Sequence, residues 1–302
     1  MKYYLIIVAK QASKALSNSV LADFNKQLEI RNILVNHVKE LAPNEAYEFL
    51  IENVNDKNIL LNEIKITYAD CEFDFFLLEQ ENYGIKKMLI ADMDSTIIAN
   101  ECIDEIAKYV GKYQEVAQIT EQAMAGKIKF DQSLLARVSA LKAVTKEQLA
   151  EIYTKKIILN QGAITVGKTM AKYNCHTVLA SGGFTFFTSK IKEKIHFKAD
   201  YANKLKFIGD ELSGYVDLPV FGSDSKLEIL LKLAKELNLS TNDIIAVGDG
   251  ANDLPMLSAL DSAIAYKAKW VVKAEILNQI NHTDLTSLLY VQGIAKEQFE
   301  LA

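Results

Sequence analysis

Cysteine is scarce in this chain, and its spacing argues against a disulfide-stapled protein. Three cysteines, Cys71, Cys102 and Cys175, occur in 302 residues. An odd number of cysteines without a CxxC pair is typical of a reducing compartment. We therefore expect a cytoplasmic protein.

Excess positive charge and long apolar runs are also lacking. The formal net charge is -5, so no general basic field attracts nucleic acid or an anionic membrane. No apolar stretch approaches the ~20 residues that a membrane span needs. The N-terminal MKYYLIIVAKQ lacks the longer apolar segment and the small-residue cleavage site of a signal peptide. We expect neither nucleic acid nor a membrane as a partner.

Arginine is nearly absent, since Arg31 and Arg137 are the only two in a chain that otherwise uses lysine. A guanidinium can grip a carboxylate with two parallel hydrogen bonds, which an ammonium cannot do. Arg137 is therefore a candidate carboxylate ligand. The alternative is an ordinary exposed arginine on a helix.

The length of the chain predicts about two domains. Residues 1–84 read as a small α/β unit that ends at the turn signal Tyr83-Gly84. Its predicted elements are a strand at 3–8, helical patterns over 19–40, an apolar stretch at 46–52, a helix at 57–66 and a strand at 72–80.

Residues 85–302 read as an α/β core with a parallel sheet, because short apolar strands alternate with helical patterns. The predicted core strands are 88–91, 177–181, 215–220 and 243–248. Residues 103–160 are helical in pattern and contain no proline. They follow the first core strand, so we interpret them as a helical cap inserted over the sheet.

Three predicted core strands end in polar residues, at Asp92-Met93-Asp94-Ser95-Thr96, at Ser181-Gly182-Gly183 and at Gly248-Asp249-Gly250-Ala251-Asn252-Asp253. The carboxyl ends of parallel strands lie on one edge of a sheet, where ligands bind. Neighbouring carboxylates repel unless a cation intervenes, and hard oxygen ligands suit Mg²⁺. Asn252 and Asp253 would hold metal-bound water. The alternative is that these acids only cap helices or form turns.

Two further features favour a phosphate ligand. Ser181 and Gly182 offer a hydroxyl and bare backbone N–H groups. Lys226 opens a predicted helix and supplies a point charge. Each feature also has a structural explanation that involves no ligand. Ser181-Gly182 would then be an ordinary glycine turn, and Lys226 a solvated lysine.

Taken in order, DMDST, SGGF, a lysine that opens a helix and VGDGANDLPML resemble the four motifs of the haloacid-dehalogenase superfamily of phosphohydrolases. The stretches ECIDE, FDQSLLARVSALK, KIKEK and YANKL are similar to those of phosphoserine phosphatases. The resemblance covers roughly residues 86 to 294. It implies a Rossmann-like core with a helical cap. It does not cover residues 1–84, which we expect to form an additional small α/β domain of the ACT-like, regulatory kind.

The resemblance also implies a mechanism. Asp92 is expected to be the nucleophile that forms an aspartyl-phosphate, and Asp94 the general acid and base. Mg²⁺ is expected to be held by Asp92, the backbone carbonyl of Asp94 and Asp249. The residues implied to hold the phosphoryl group are Ser181, Gly182, Lys226 and Asn252, with Asp253 orienting Lys226 or a metal-bound water.

The implied substrate is a small phosphomonoester, O-phospho-L-serine, hydrolysed in the last step of serine biosynthesis. Glu101 is expected to pair with its ammonium and Arg137 with its carboxylate. Met124 and Phe130 are candidates for the inner wall of the cap. The alternative within the superfamily is another small phosphorylated amino compound. A homodimer is an expectation by analogy.

Two readings from other classes stay open at this point. Residues 162–169, GAITVGKT, fit the pattern of a nucleotide-binding P-loop with Lys168 as its lysine. Their β-branched residues disfavour the positive φ of such a loop, and their spacing favours a helix. The second reading makes residues 1–84 a ligand-sensing module.

Overall fold

The computed structural model describes residues 1–10 and 16–302, apart from the side chain of Met124. The N-terminal part contains one antiparallel sheet with strand order β2-β3-β1-β4. This βαββαβ succession is the ferredoxin-like arrangement. Its elements are β1 (Tyr3–Ala9), α1 (Asn18–Ile30), β2 (Leu34–Ala42), β3 (Ala46–Glu52), α2 (Lys57–Thr67) and β4 (Phe73–Glu79).

Strands β1, β3 and β4 of the N-terminal sheet are buried on both faces, which explains their mainly apolar sequences. Alternate residues such as Leu5 and Ile7 pack with Phe24 of α1 in one cluster. Ile6 and Val8 point to the other face and belong to the cluster of the core. The strand period of two residues sends each set to its own side.

The prediction of helix over 19–40 is wrong beyond residue 30. α1 ends at Ile30, and Asn32 adopts a φ of 57°, a left-handed conformation that asparagine tolerates. Leu34–Ala42 then forms the edge strand β2.

The core is a six-stranded sheet with order β12-β11-β10-β5-β6-β7, and all of its pairings are parallel. Its strands are β5 (Met88–Ala91), β6 (His176–Phe184), β7 (Ala199–Asn203), β10 (Ile244–Gly248), β11 (Ala263–Tyr266) and β12 (Asn278–Ile280). Two further strands, β8 (Leu205–Ile208) and β9 (Glu211–Val216), form an antiparallel hairpin outside this sheet. The prediction of a core strand at 215–220 is therefore wrong, while the strands at 88–91, 177–181 and 243–248 are confirmed.

Helices cover both faces of the parallel sheet. Met88 and Ile90 of β5 belong to one apolar cluster, while Leu89 and Ala91 belong to the other. This two-sided burial is characteristic of α/β folds. The helices are α3 (Cys102–Tyr109), α4 (Tyr113–Met124), α5 (Phe130–Ala140), α6 (Lys146–Lys155), α7 (Ala163–Lys172), α8 (Thr185–Lys194), α9 (Ser223–Glu236), α10 (Leu254–Leu257), α11 (Trp270–Glu275) and α12 (Ser287–Tyr290).

Helices α3 to α6 form a helical block between β5 and α7, so the helical pattern predicted over 103–160 is confirmed. The chain enters and leaves this block through a short neck. Ala99 N donates to Ile158 O at 2.8 Å, and Asn160 N donates to Ile97 O at 2.9 Å. The two ends of the helical block are therefore held side by side.

The β8–β9 hairpin makes a second connection to the helical block. Ala143 N donates to Leu212 O at 2.9 Å, and Leu212 N donates to Val144 O at 2.8 Å. The hairpin thus extends the backbone hydrogen bonding of the turn between α5 and α6.

The two sheets meet through two buried polar side chains. Asn278 Oδ1 accepts from Leu77 N at 2.8 Å, and Asn278 Nδ2 donates to Leu77 O at 3.3 Å. The Asp74 carboxylate, 2% exposed, accepts hydrogen bonds from the backbone N–H groups of residues 281–283 and from Thr283 Oγ1. In the described residues 1–10 and 16–302, no helix is long and apolar enough to cross a membrane.

Candidate active site

The predicted strand ends converge because β10, β5 and β6 are neighbours in the sheet. Asp92 follows β5 directly, and its N–H donates to Val247 O at 3.0 Å. The backbone stays extended at Asp92 and Asp94 and then turns at Ser95, whose φ is 57°. Asp94 also lies at the carboxyl edge of the sheet, because a Cβ atom at Gly183, near the end of β6, would be 2.8 Å from Asp94 Oδ2 and the Lys226 charge acts on the Asp94 carboxyl.

Lys226 lies fully buried between two carboxylates. Its Nζ is 2.6 Å from Asp92 Oδ1 and 2.6 Å from Asp253 Oδ1. Burial alone would lower the pKa of Lys226, but the adjacent Asp253 and Asp92 charges raise it above its ordinary value. Lys226 is therefore a fixed positive charge in a site that water does not screen.

Three buried acids, Asp92, Asp249 and Asp253, each offer an oxygen within 4.8 Å of the others. Burial and the Asp253 charge raise the pKa of Asp92, while Lys226 opposes that rise. Burial also raises the pKa of Asp249 to about 6, although Lys269 lowers it. Such a cluster of hard oxygen atoms can hold a metal ion.

The oxygens of Asp253 are both engaged within the protein. Oδ1 pairs with Lys226, and Oδ2 accepts from Asp249 N at 3.1 Å and Gly250 N at 3.0 Å. Asp253 therefore fixes Lys226 and the turn after β10. Asp249 Oδ1 accepts from Thr96 Oγ1 at 3.3 Å, and its Oδ2 lies 3.7 Å from Lys269 Nζ.

Asp94 has a different environment from Asp92. Its Oδ1 accepts from Cys102 N at 3.1 Å, at the start of α3. Burial and the nearby Glu101 charge raise the pKa of Asp94 to about 7. A carboxyl with this pKa can both donate and accept a proton near neutral pH.

The SGG stretch forms the end of β6 and lies beside Asp94. Ser181 is fully buried, and its Oγ accepts from Gly183 N at 2.9 Å. A Cβ atom at Gly183 would lie 2.8 Å from Asp94 Oδ2. A side chain at this position would therefore collide with Asp94.

The residues predicted to recognise the substrate's amino-acid end lie next to this cluster. Glu101 is exposed, and its Oε1 accepts from Ser95 Oγ at 2.9 Å. Arg137 is half-buried on α5, and its Nε donates to Ser133 O at 3.4 Å. Burial lowers the pKa of Arg137, while the charges of Asp104, Glu101 and Asp94 raise it. Arg137 is thus within electrostatic reach of Glu101 and Asp94.

Asn252 and Phe130 are the remaining predicted site residues that the structure describes. Asn252 is half-buried in the turn after β10, near Gly250. Phe130, at the start of α5, has its ring beside Gly182. The side chain of Met124, the other predicted cap residue, lies outside the described part of the chain.

Sequence reasoning missed Thr96, Lys269 and Asn203, all of which contact residues of the site. Thr96 belongs to the DMDST stretch and Asn203 to YANKL, so both were within recognised motifs. No sequence pattern pointed to Lys269, because its proximity to Asp249 depends on how β11 pairs with β10 in the sheet.

The GAITVGKT stretch is not a phosphate-binding loop. Residues Ala163–Lys172 form the regular helix α7, and Lys168 Nζ donates to Leu301 O at 2.9 Å. The prediction of a helix here is confirmed.

Comparisons with known proteins agree with this geometry. A model of the haloacid dehalogenase-like hydrolases matches residues 86–261. The chain is 36% identical over 208 residues to a phosphoserine phosphatase of Vibrio cholerae, covering 69% of this chain and 63% of that protein. It is 39% identical over 204 residues to a phosphoserine phosphatase of Methanocaldococcus jannaschii, covering 68% of this chain and 96% of that protein.

A solved structure extends the similarity over nearly the whole chain. The crystal structure of a HAD family hydrolase from Salmonella enterica serovar Typhi superposes with a TM-score of 0.83 at 30% identity, covering 96% of this chain and 98% of that one. This structure includes the N-terminal region that the family model leaves unmatched. The chain belongs to the haloacid dehalogenase-like hydrolases, within the group of phosphoserine phosphatases.

Proposed function

We propose that this chain hydrolyses O-phospho-L-serine to L-serine and phosphate, in the cytoplasm, as the last step of serine biosynthesis. The observation that carries the proposal is Lys226, buried between Asp92 and Asp253 at 2.6 Å from each. A buried cation facing a carboxylate at the carboxyl edge of a parallel sheet suits the binding of an anionic phosphoryl group. The named phosphoserine phosphatases among the relatives support the choice of substrate.

In the first step, an Asp92 oxygen attacks phosphorus and forms an acyl-phosphate, while the bond from phosphorus to the serine oxygen breaks. Asp94 donates its proton to that leaving oxygen. In the second step, Asp94 takes a proton from water, and the water oxygen attacks phosphorus. The bond from phosphorus to the Asp92 oxygen breaks, which releases phosphate and restores the Asp92 carboxylate. The pKa of about 7 at Asp94 suits both proton transfers.

The phosphoryl oxygens are proposed to contact Lys226, Ser181 Oγ, the backbone N–H of Gly182 and the Asn252 amide. Lys226 is held in place by Asp253, so its charge needs little reorganisation during the reaction. These donors stabilise the charge that spreads over the transferred group.

The donor set at the sheet edge fits Mg²⁺. The proposed ligands are the Asp92 and Asp249 carboxylates and the Asp94 backbone carbonyl, all hard oxygen atoms. Asp253 is less suited to direct ligation because both of its oxygens are already engaged. When bound, Mg²⁺ reduces the repulsion between the Asp92 carboxylate and the phosphate dianion.

Substrate choice is proposed to lie with Glu101 and Arg137. Glu101 would pair with the substrate ammonium, and Arg137 would hold the carboxylate with two hydrogen bonds. Both residues lie near Asp94, because the Glu101 charge raises the pKa of Asp94 and the Asp94 charge acts to raise the pKa of Arg137. The leaving serine oxygen would then sit beside the acid that protonates it.

We also propose the division of the chain into residues 1–84, a small ACT-like domain, and residues 85–302, a phosphatase core whose cap comprises about residues 103–160. The separate antiparallel sheet and its own apolar cluster support the first unit. A homodimer is part of the same proposal by analogy.

Initial rates on a panel of phosphorylated metabolites, with Mg²⁺ and with EDTA, test the proposed function. We expect phosphoserine to give the highest kcat/KM, and EDTA to abolish turnover. Asp92→Asn should reduce kcat by more than about 10³-fold, because an amide cannot form the acyl-phosphate. Near-normal turnover in that variant, or a clear preference for another phosphomonoester, would contradict the proposal.

A further inference from the structure

Asn203 joins two main-chain segments of the proposed phosphate site. It ends β7, and its side chain is only 2% exposed. Its Nδ2 donates to Gly182 O at 2.9 Å and to Phe221 O at 2.9 Å, while its Oδ1 accepts from Phe221 N at 2.8 Å. Both N–H groups and the oxygen of the side-chain amide are therefore hydrogen-bonded to backbone atoms.

The two segments come from different parts of the chain. Gly182 lies at the end of β6, and Phe221-Gly222 leads into α9, which carries Lys226 in its first turn. Lys226 N donates to Gly222 O at 3.3 Å. The Asn203 amide thus sets the separation between Gly182 and the start of the helix that places Lys226.

Phe130 of the helical block rests on the same two segments. A Cβ atom at Gly182 would lie 3.1 Å from Phe130 Cζ, and one at Gly222 would lie 3.1 Å from Phe130 Cδ1. The ring therefore contacts both glycines closely, and a side chain at either position would push the ring away by a few tenths of an ångström. A change in the separation of the segments would also change where Phe130 sits.

We propose that Asn203 is a positioning residue for the phosphoryl group. It holds Gly182 and the start of α9 at the separation that lets the Gly182 N–H and the Lys226 ammonium contact one phosphoryl group. This inference rests on the proposed function of those two residues. An aspartate of the same shape cannot replace it, because a carboxylate would face the Gly182 and Phe221 carbonyl oxygens without a proton to donate.

Asn278 offers a matched control. It is also buried, at 3% exposed, and its amide also bonds to the N–H and the carbonyl of one residue, Leu77. It lies between the two sheets, outside the catalytic cluster. Asn278→Asp should therefore lower stability in the same way as Asn203→Asp without disturbing phosphate binding.

The experiment compares Asn203→Asp and Asn203→Ala with Asn278→Asp and Asn278→Ala in the full-length protein. The readouts are the melting temperature, kcat and KM for p-nitrophenyl phosphate, and the inhibition constant of inorganic phosphate. We expect the Asn203 variants to raise KM and the phosphate inhibition constant by about 10- to 100-fold, since small misplacements of binding groups have effects of this size. The Asn278 variants should change both by less than about twofold.

Phosphate inhibition within about twofold of wild type in the Asn203 variants would overturn the positioning role, as would an equal rise in the Asn278 variants. If the other Asn203 variants do not fold, Asn203→Ser, which keeps one hydrogen-bond donor, replaces them. Its phosphate inhibition constant is then compared with that of the wild type in the same way. Wild-type preference for phosphoserine over other phosphomonoesters tests the proposed function separately. The comparison between positions 203 and 278 uses an aryl phosphate, so its outcome does not depend on the natural leaving group.

Discussion

Replacing Lys226 with methionine removes a buried charge while it keeps most of the side-chain volume. In the wild type, Lys226 Nζ contacts Asp92 Oδ1 and Asp253 Oδ1, both at 2.6 Å, and the lysine is 0% exposed. Its loss leaves two buried carboxylates without their cation. Removing one partner of a buried ion pair costs about 3–5 kcal/mol. We expect Lys226→Met to melt well below the wild type in metal-free buffer.

The loss of stability should depend on pH. Burial and Asp253 raise the pKa of Asp92, whereas Lys226 lowers it, so removal of Lys226 raises that pKa further. A carboxyl whose pKa is raised by folding contributes stability below its unfolded pKa, and this contribution is lost as the pH rises through the folded pKa. The difference between Lys226→Met and wild type should therefore be larger at about pH 8 than at about pH 5.

Thermal unfolding in EDTA and in Mg²⁺ measures both effects. A bound divalent cation supplies positive charge to the same acids, so Mg²⁺ should raise the melting temperature of Lys226→Met more than that of the wild type. Lys269→Met is the matched control, since Lys269 is an exposed lysine 3.7 Å from Asp249 Oδ2. Exposed pairs contribute about 0–1 kcal/mol. Equal melting temperatures for Lys226→Met and wild type in EDTA would refute the reasoning, as would a larger loss in Lys269→Met.

Three other substitutions have distinct expected outcomes. Arg137→Ala should lower kcat/KM for phosphoserine by about 100-fold but change kcat/KM for p-nitrophenyl phosphate by less than about threefold. Equal losses for the two substrates in parallel rate assays would show that Arg137 does not bind the substrate carboxylate. Asp74→Ala should lower the free energy of unfolding by about 3–5 kcal/mol in urea titrations, because the N–H groups of residues 281–283 and the buried Thr283 hydroxyl lose their common acceptor. KM should stay within about twofold of wild type, and unchanged stability would contradict this prediction. Lys168→Ala should leave turnover unchanged. The contrary result would be labelled ATP that binds tightly to the wild type but not to this variant, since it would indicate a P-loop after all.

The sequence predicted the N-terminal elements unevenly, and β2 shows why. Leu34, Val38, Leu41 and Ala42 are spaced i, i+4, i+7 and i+8, which is the pattern of an amphipathic helix. An edge strand with a largely exposed surface imposes no strict alternation, so periodicity alone favoured the wrong element. β1 and β4 were predicted because burial on both faces makes them continuously apolar.

In the core, the strands that carry the site were easier to predict than the others. β5 and β10 are apolar runs that end in aspartates, so their position in a parallel sheet followed from their pattern. β12 has only three residues, Asn278–Ile280, which is too short for a periodic signal. The segment 215–220 has the composition of a strand, but composition does not distinguish a hairpin from a sheet.

The acidic cluster could be predicted from local spacing combined with one rule of sheet topology. The role of Asn203 could not, because its partners Gly182 and Phe221 lie 21 and 18 residues away. Such a contact depends on where the chain returns after the hairpin. Tertiary packing, which a single sequence does not reveal, sets that distance.

The hydrogen bonds between the β8–β9 hairpin and the helical block limit how this block can be moved to another protein of the same fold. Because residues 99 and 158 are hydrogen-bonded neighbours, the helical block between them looks like a module that could be grafted elsewhere through two cuts. However, Ala143 and Val144 pair with Leu212 of the hairpin. A graft of the helical block alone would leave backbone donors and acceptors on both sides without partners. A chimaera should therefore transfer the hairpin at residues 205–216 together with the helices, as one structural unit encoded by two separate stretches of sequence.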